Sequence, residues 1–159
     1  MDGRTIRDVA AAVAAGAGVL LLADLSLGWY SVTVTAGGVV NVEATSSGWT
    51  NVGVVAGLLT IAMLVYMIRP MRHAGRIDLV QAGVTGALGV AVLGFTVAAA
   101  FTGTASITAP ATAVEVGSRL WPAYAGIGLS AIVAAGTLTA LVEVLRGFTA
   151  PSRAITATS

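Results

Sequence analysis

Residues 79–101 read LVQAGVTGALGVAVLGFTVAAAF and contain no charged side chain. A helix needs about 20 residues to cross a hydrocarbon layer about 30 Å thick. Strands buried in a soluble core run to only about 4–8 residues. Lipid offers no partner to a bare peptide group, so an apolar run of this length closes its backbone hydrogen bonds internally, as an α-helix. Working outward, residues 9–30, 51–68 and 122–145 are three more such runs.

Composition agrees. Of the 159 residues, 57% are hydrophobic and 9% are charged, against about 25% charged in a typical soluble domain. A chain this short leaves much of its surface wet when it folds in water. The expected class is therefore an all-α membrane protein. It is a four-transmembrane-helix bundle over residues 1–148, with helices at about 9–30, 51–68, 79–101 and 122–145, followed by a polar tail at 149–159.

Arginine sets the orientation. All eight basic residues are Arg, and only Arg119 falls on the opposite side from the other seven. The positive-inside rule places those seven, and both termini, in the cytoplasm of a plasma-membrane protein. The charged start and apolar run of helix 1 also fit a signal peptide, but a good small-x-small cleavage site is missing. Trp29, Tyr30, Trp49, Trp121 and Tyr124 gather at the outer boundary, as an aromatic belt would. The Ala, Gly and Arg excess with no Lys suits a GC-rich genome.

The first external connection alternates. Ser31-Val32-Thr33-Val34-Thr35 precedes Gly37-Gly38, and Val40, Val42 and Ala44 then alternate with polar residues. This pattern predicts a β-hairpin over 31–45 turning at the Gly pair. An isolated hairpin is marginal in water, so it is expected to pack on the second external connection or on a partner. That second connection, 102–121, is rich in Thr, Ala and Ser and reads as irregular, with Pro110 as a breaker. Pro122 suits the first turn of helix 4, and Pro70 stops helix 2.

Small residues recur at helical spacing: Gly53 and Gly57 in helix 2, Gly86 and Gly94 in helix 3, Gly128 and Gly136 in helix 4. Small side chains let helices approach closely, inside the bundle or against another subunit. Asp24 lies 15 residues after Val9, about 22 Å along a helix, so it belongs to the outer third of the membrane. A carboxylate there is a structural pair, with Arg119 or with hydroxyl and backbone donors, or else a proton or cation site. Glu143 and Arg146 are spaced for an i, i+3 pair. Gln81 and Thr85 share a face for bonding a neighbouring helix. His73 falls in the basic link, whose arginines suit anionic headgroups.

No enzyme motif is present, and no catalytic, cofactor-binding or metal-binding residue is nominated. Without cysteine there are no disulfides or thiolate ligands, and one His cannot build a multi-histidine site. A net charge of +1 gives no bias toward nucleic acid. The expected partners are the lipid bilayer and a membrane protein or a second copy. The function expected is contact without catalysis, as an accessory subunit or homo-oligomer. The alternative is a small transporter or channel using Asp24.

Trp29-Tyr30-Ser31 after helix 1 and Gly48-Trp49 before helix 2 resemble a pattern in small four-helix membrane proteins of actinobacteria, many without an assigned function. The layout also resembles a miniature claudin, with Trp29 and Gly48-Trp49 at the positions of the claudin Trp and Gly-Leu-Trp. The claudin Leu and both claudin cysteines have no counterpart here. The resemblance implies four helices, internal termini and a β-rich first external loop, and nothing about adhesion or paracellular pores.

Overall fold

The computed structural model describes residues 3–36, 40–50, 52–68, 79–103 and 114–149. Among them are four helices and three strands: α1 (Gly3–Leu25), β1 (Gly28–Ala36), β2 (Val40–Ser47), α2 (Val52–Ile68), α3 (Leu79–Thr102), β3 (Val114–Arg119) and α4 (Trp121–Thr149). Three helices, α1, α3 and α4, are long and apolar enough to cross a membrane; α2 is apolar but shorter, at 17 residues. The Gly37-Gly38 turn, the link at 69–78 with its three arginines and His73, Pro110, and the tail from 150 onward lie outside the described residues.

α1 packs along α4, α4 along α3, and α3 along α2, while the α1–α2 seam is the thinnest of the four. Two apolar clusters fill the bundle. One, around Leu21, Leu25, Trp29, Val92 and Ala99, lies toward the sheet; the other joins Ala17, Met63 and Val133. Val65, Leu20 and Val80 point outward and are exposed.

Helix 1 departs from the expected 9–30. It starts at Gly3, because the polar first turns continue the helix beyond the apolar run, and it ends at Leu25. Its last turn closes with tight three-residue hydrogen bonds, from Ser26 N to Ala23 O and from Leu27 N to Asp24 O. Gly28 then opens a strand whose aromatic and β-branched residues favour a pleated surface over a helix. The expected hairpin is present: β1 and β2 pair antiparallel from Ala36 and Val40 down to Gly28 and Ser47, with an irregularity between Gly28 and Tyr30.

The second connection is not wholly irregular as expected. Residues 114–119 form β3, antiparallel to β1 from Tyr30–Arg119 to Thr35–Val114. The sheet order is β2-β1-β3, so the first strand out of α1 is the central one. The missed signal is the short alternation Val114-Glu115-Val116. Both connections at this end of the bundle therefore build one small sheet.

Candidate functional site

The most distinctive construction is the junction between the sheet and the helix ends, built on Asp24, Trp29, Tyr30 and Arg119. Trp29 is wholly buried. Its indole N–H donates to the backbone carbonyl of Asp24 at 3.0 Å. Its ring is held between two glycines. A Cβ on Gly48 would stand 2.7 Å from the ring, and one on Gly126 of α4 would stand 2.5 Å from it. Glycine is required at both positions because the indole occupies the space of a side chain.

Tyr30 follows, its ring edge-on to Trp29 with centroids 6.4 Å apart. Its hydroxyl donates to the carbonyl of Ala99 in the last turn of α3. The ring also fills the place a Gly103 side chain would take. Burial raises the Tyr30 phenol above its usual pKa, and the nearby Arg119 charge offsets part of that rise.

Arg119, at the end of β3, reaches the same helix end. Its Nε donates to Ala100 O at 2.7 Å and its Nη2 to Phe101 O at 3.0 Å. The guanidinium lies over the Phe101 ring, 5.1 Å from the centroid. A helix leaves its last carbonyls without internal partners, and a cation there also complements the helix dipole. Arg119 meets both needs. Leu120 N donates to Trp29 O at 2.8 Å, and the Ser31 and Ser118 hydroxyls bond at 2.8 Å, so β3 is tied to β1 through side chains as well as backbone.

The expected pairing of Asp24 with Arg119 is replaced by this arrangement, since the arginine is engaged by α3 carbonyls. Asp24 is 6% exposed, and among the described residues its Oδ2 has no hydrogen-bond partner. That oxygen faces Gly126, 2.8 Å from where a Cβ would lie. Among the described residues Thr96 Oγ1 is a second buried oxygen without a partner.

The aromatic residues divide. Trp121 and Tyr124 are 71% and 57% exposed. Trp29 and Tyr30 are interior pins, because the strand turns them back onto the bundle. Trp49 packs over Gly57 and donates its indole N–H to Ser26 Oγ at 3.1 Å.

The glycines divide too. Gly53 and Gly57 accept the chain just before α2, at Gly48 and Trp49, and a Cβ on Gly53 would also stand 3.8 Å from Ala99 Cβ of α3. Gly136 lies at the α1–α4 crossing, where a Cβ would stand 2.8 Å from Ala10 O and 2.9 Å from Ala14 Cβ. Gly86 meets Leu141 at ordinary contact distance, while Gly94 and Gly128 have open space beside them. Gln81 Nε2 bonds Tyr66 O of α2 at 3.3 Å, and Thr85 bonds its own helix. Glu143 and Arg146 form the spaced pair at 2.6 Å.

No protein-family model matches the chain, and no curated protein matches it. The chemistry of the junction is that of a structural clamp. It uses backbone carbonyls, buried rings and a cation to fasten a sheet to three helices.

Proposed function

We propose that the chain is a multi-pass protein of the plasma membrane, with its termini and the 69–78 link in the cytoplasm and the sheet outside. It acts through protein contact, as an accessory subunit of a larger membrane complex or as a homo-oligomer. The exposed apolar side chains on the helices support the membrane part, since water-facing patches of that extent are rare in monomeric soluble proteins. The observation that carries the contact part is the clamped sheet. Among the described residues, β2 and β3 each pair on one side only. An edge held rigidly is a ready template for a strand from another chain.

A photo-crosslinking residue at Glu43 of β2 or at Ser118 of β3, expressed at native level, tests this. A discrete adduct with a membrane protein or a second copy is expected from at least one edge. Lipid adducts alone, or none, would refute the contact reading.

The burial of the Asp24 carboxyl, with no ion pair among the described residues, favours a second reading, a small transporter or channel that carries a proton or cation at this carboxyl. An Asp24→Asn protein that melts like wild type but loses a proton-coupled flux in reconstituted vesicles would establish it. Unchanged flux would dismiss it.

A further inference from the structure

At the end of the bundle away from the sheet, α1 and α2 part. Their contact is made at Gly18, whose Cβ position meets Thr60, Met63 and Leu64 at 3.4 Å. Beyond it toward the N-terminus lies a cavity of about 610 Å³, walled on one side by the α1 stripe Ala11, Ala12, Ala15 and Gly16 and on the other by Leu64 and Met67. That volume falls in the range of about 300–1,000 Å³ usual for small-molecule sites. α3 and α4 close the back, where Gln81, Thr85 and Thr137 add polar atoms to a wall that is otherwise mostly apolar. Ala12, Gly16 and Val19 on its rim are exposed, and nothing lies within 4 Å of a Cβ built on Gly16, so the cavity opens sideways from the bundle. Its mouth is charged. Arg7 lines it and pairs with Asp8 at 2.9 Å through Nε and Nη2, both on one carboxylate oxygen. Arg4, one turn before Arg7 on the same helix face, is exposed.

We infer that this cavity holds one acyl chain of an anionic membrane phospholipid, whose phosphate is taken by Arg4 and Arg7. The inference rests on the membrane reading above. The lateral opening lets an acyl chain enter from the bilayer without crossing water. Arg4, Arg7 and Asp8 sum to one positive charge, and Glu143, whose Oε2 lies 3.1 Å from a Cβ built on Gly3, is neutralised by its pair with Arg146. Arginine offers several donors in a planar fork suited to phosphate oxygens. A lipid so placed fills the thinnest seam of the bundle, and a neutral or purely water-soluble ligand would match only half of the site.

Native mass spectrometry of the detergent-purified full chain, titrated with dioleoyl phosphatidylglycerol or dioleoyl phosphatidylcholine, tests the inference. One phosphatidylglycerol should stay bound, about tenfold more tightly than phosphatidylcholine. Gly16→Leu fills the cavity and should abolish the preference, while the double variant Arg4→Gln/Arg7→Gln should bring the two lipids level. Melting temperatures in lipid-free detergent distinguish other occupants. Gly16→Leu should melt no lower than wild type. A lower melting point would mean that the 69–78 link already fills the cavity, and loss of a dimer mass would mean that a second copy does; either overturns the inference. Undiminished phosphatidylglycerol binding by folded Gly16→Leu would overturn it as well. None of these outcomes bears on whether the chain spans the membrane, which is tested separately by labelling.

Discussion

Tyr30 joins the sheet to α3 by one hydroxyl and one ring face, and its removal should be felt in two ways. Tyr30→Phe strips the bond to the Ala99 carbonyl and should lower stability in detergent by about 0.5–1.5 kcal/mol. It should also change the alkaline limb. The folded-state pKa of Tyr30 is raised above 10.0, so the fold holds this proton more tightly than the unfolded chain does. The resulting stability is whole below pH 10 and is lost as pH rises through the folded-state value. Wild type should therefore weaken above pH 10 by more than Tyr30→Phe does; parallel limbs would show that Tyr30 is not buried. Arg119 serves the same helix end and not Asp24. A double-mutant cycle of Asp24→Asn and Arg119→Gln should be additive within about 0.5 kcal/mol, and a larger coupling would restore the pair. Both residues stood out in the sequence as rare charges near one boundary. Their partners did not, because a helix's last carbonyls are backbone groups and carry no residue signature.

The elements were legible in proportion to their periodicity. The apolar runs located all four helices, yet misplaced the ends of α1, because a run marks the length of apolar surface and not where helical hydrogen bonding stops. The β1–β2 alternation was long enough to read; three alternating residues of β3 were not, and β3 is held by its pairing with β1. Amide exchange should reflect that order. In the centre of the sheet every β1 amide has a partner, so protection should run through Ser31–Thr35, while only alternate amides of β2 and β3 are slow. Exchange of alternate amides along β1 would mean that β3 is unpaired. The expected glycine stripes divide between packed and open positions for a geometric reason. Residues eight apart on a helix differ by about 80° in direction, so Gly128 and Gly136, like Gly86 and Gly94, do not face one neighbour. Gly136→Ala should cost about 1–3 kcal/mol through overlap with Ala10 and Ala14. Gly128→Ala, in open space, should stay within about 0.5 kcal/mol of wild type, as a thermal-melt comparison in one detergent would show.

In the whole molecule the sheet and the cavity lie at opposite ends of the bundle. The sheet is assembled from the two connections at the end away from the start of α1 and the end of α4, and the cavity opens at the end where α1 begins and α2 stops. The sequence carried the first end through its aromatics and alternation. It could not carry the second, because a cavity is a space between Ala and Gly side chains that look, one at a time, like any packing surface. The two ends are proposed to face opposite sides of a bilayer, and the absence of cysteine from the chain makes that directly measurable. Single cysteines at Glu43 in β2 and at Ser152 in the tail can be probed with an impermeant thiol reagent, in intact cells and after permeabilisation. Glu43→Cys should label in intact cells, and Ser152→Cys only after permeabilisation. Labelling of Ser152→Cys in intact cells with Glu43→Cys protected would invert the topology, and equal labelling of both in intact cells would remove the four-span bundle itself.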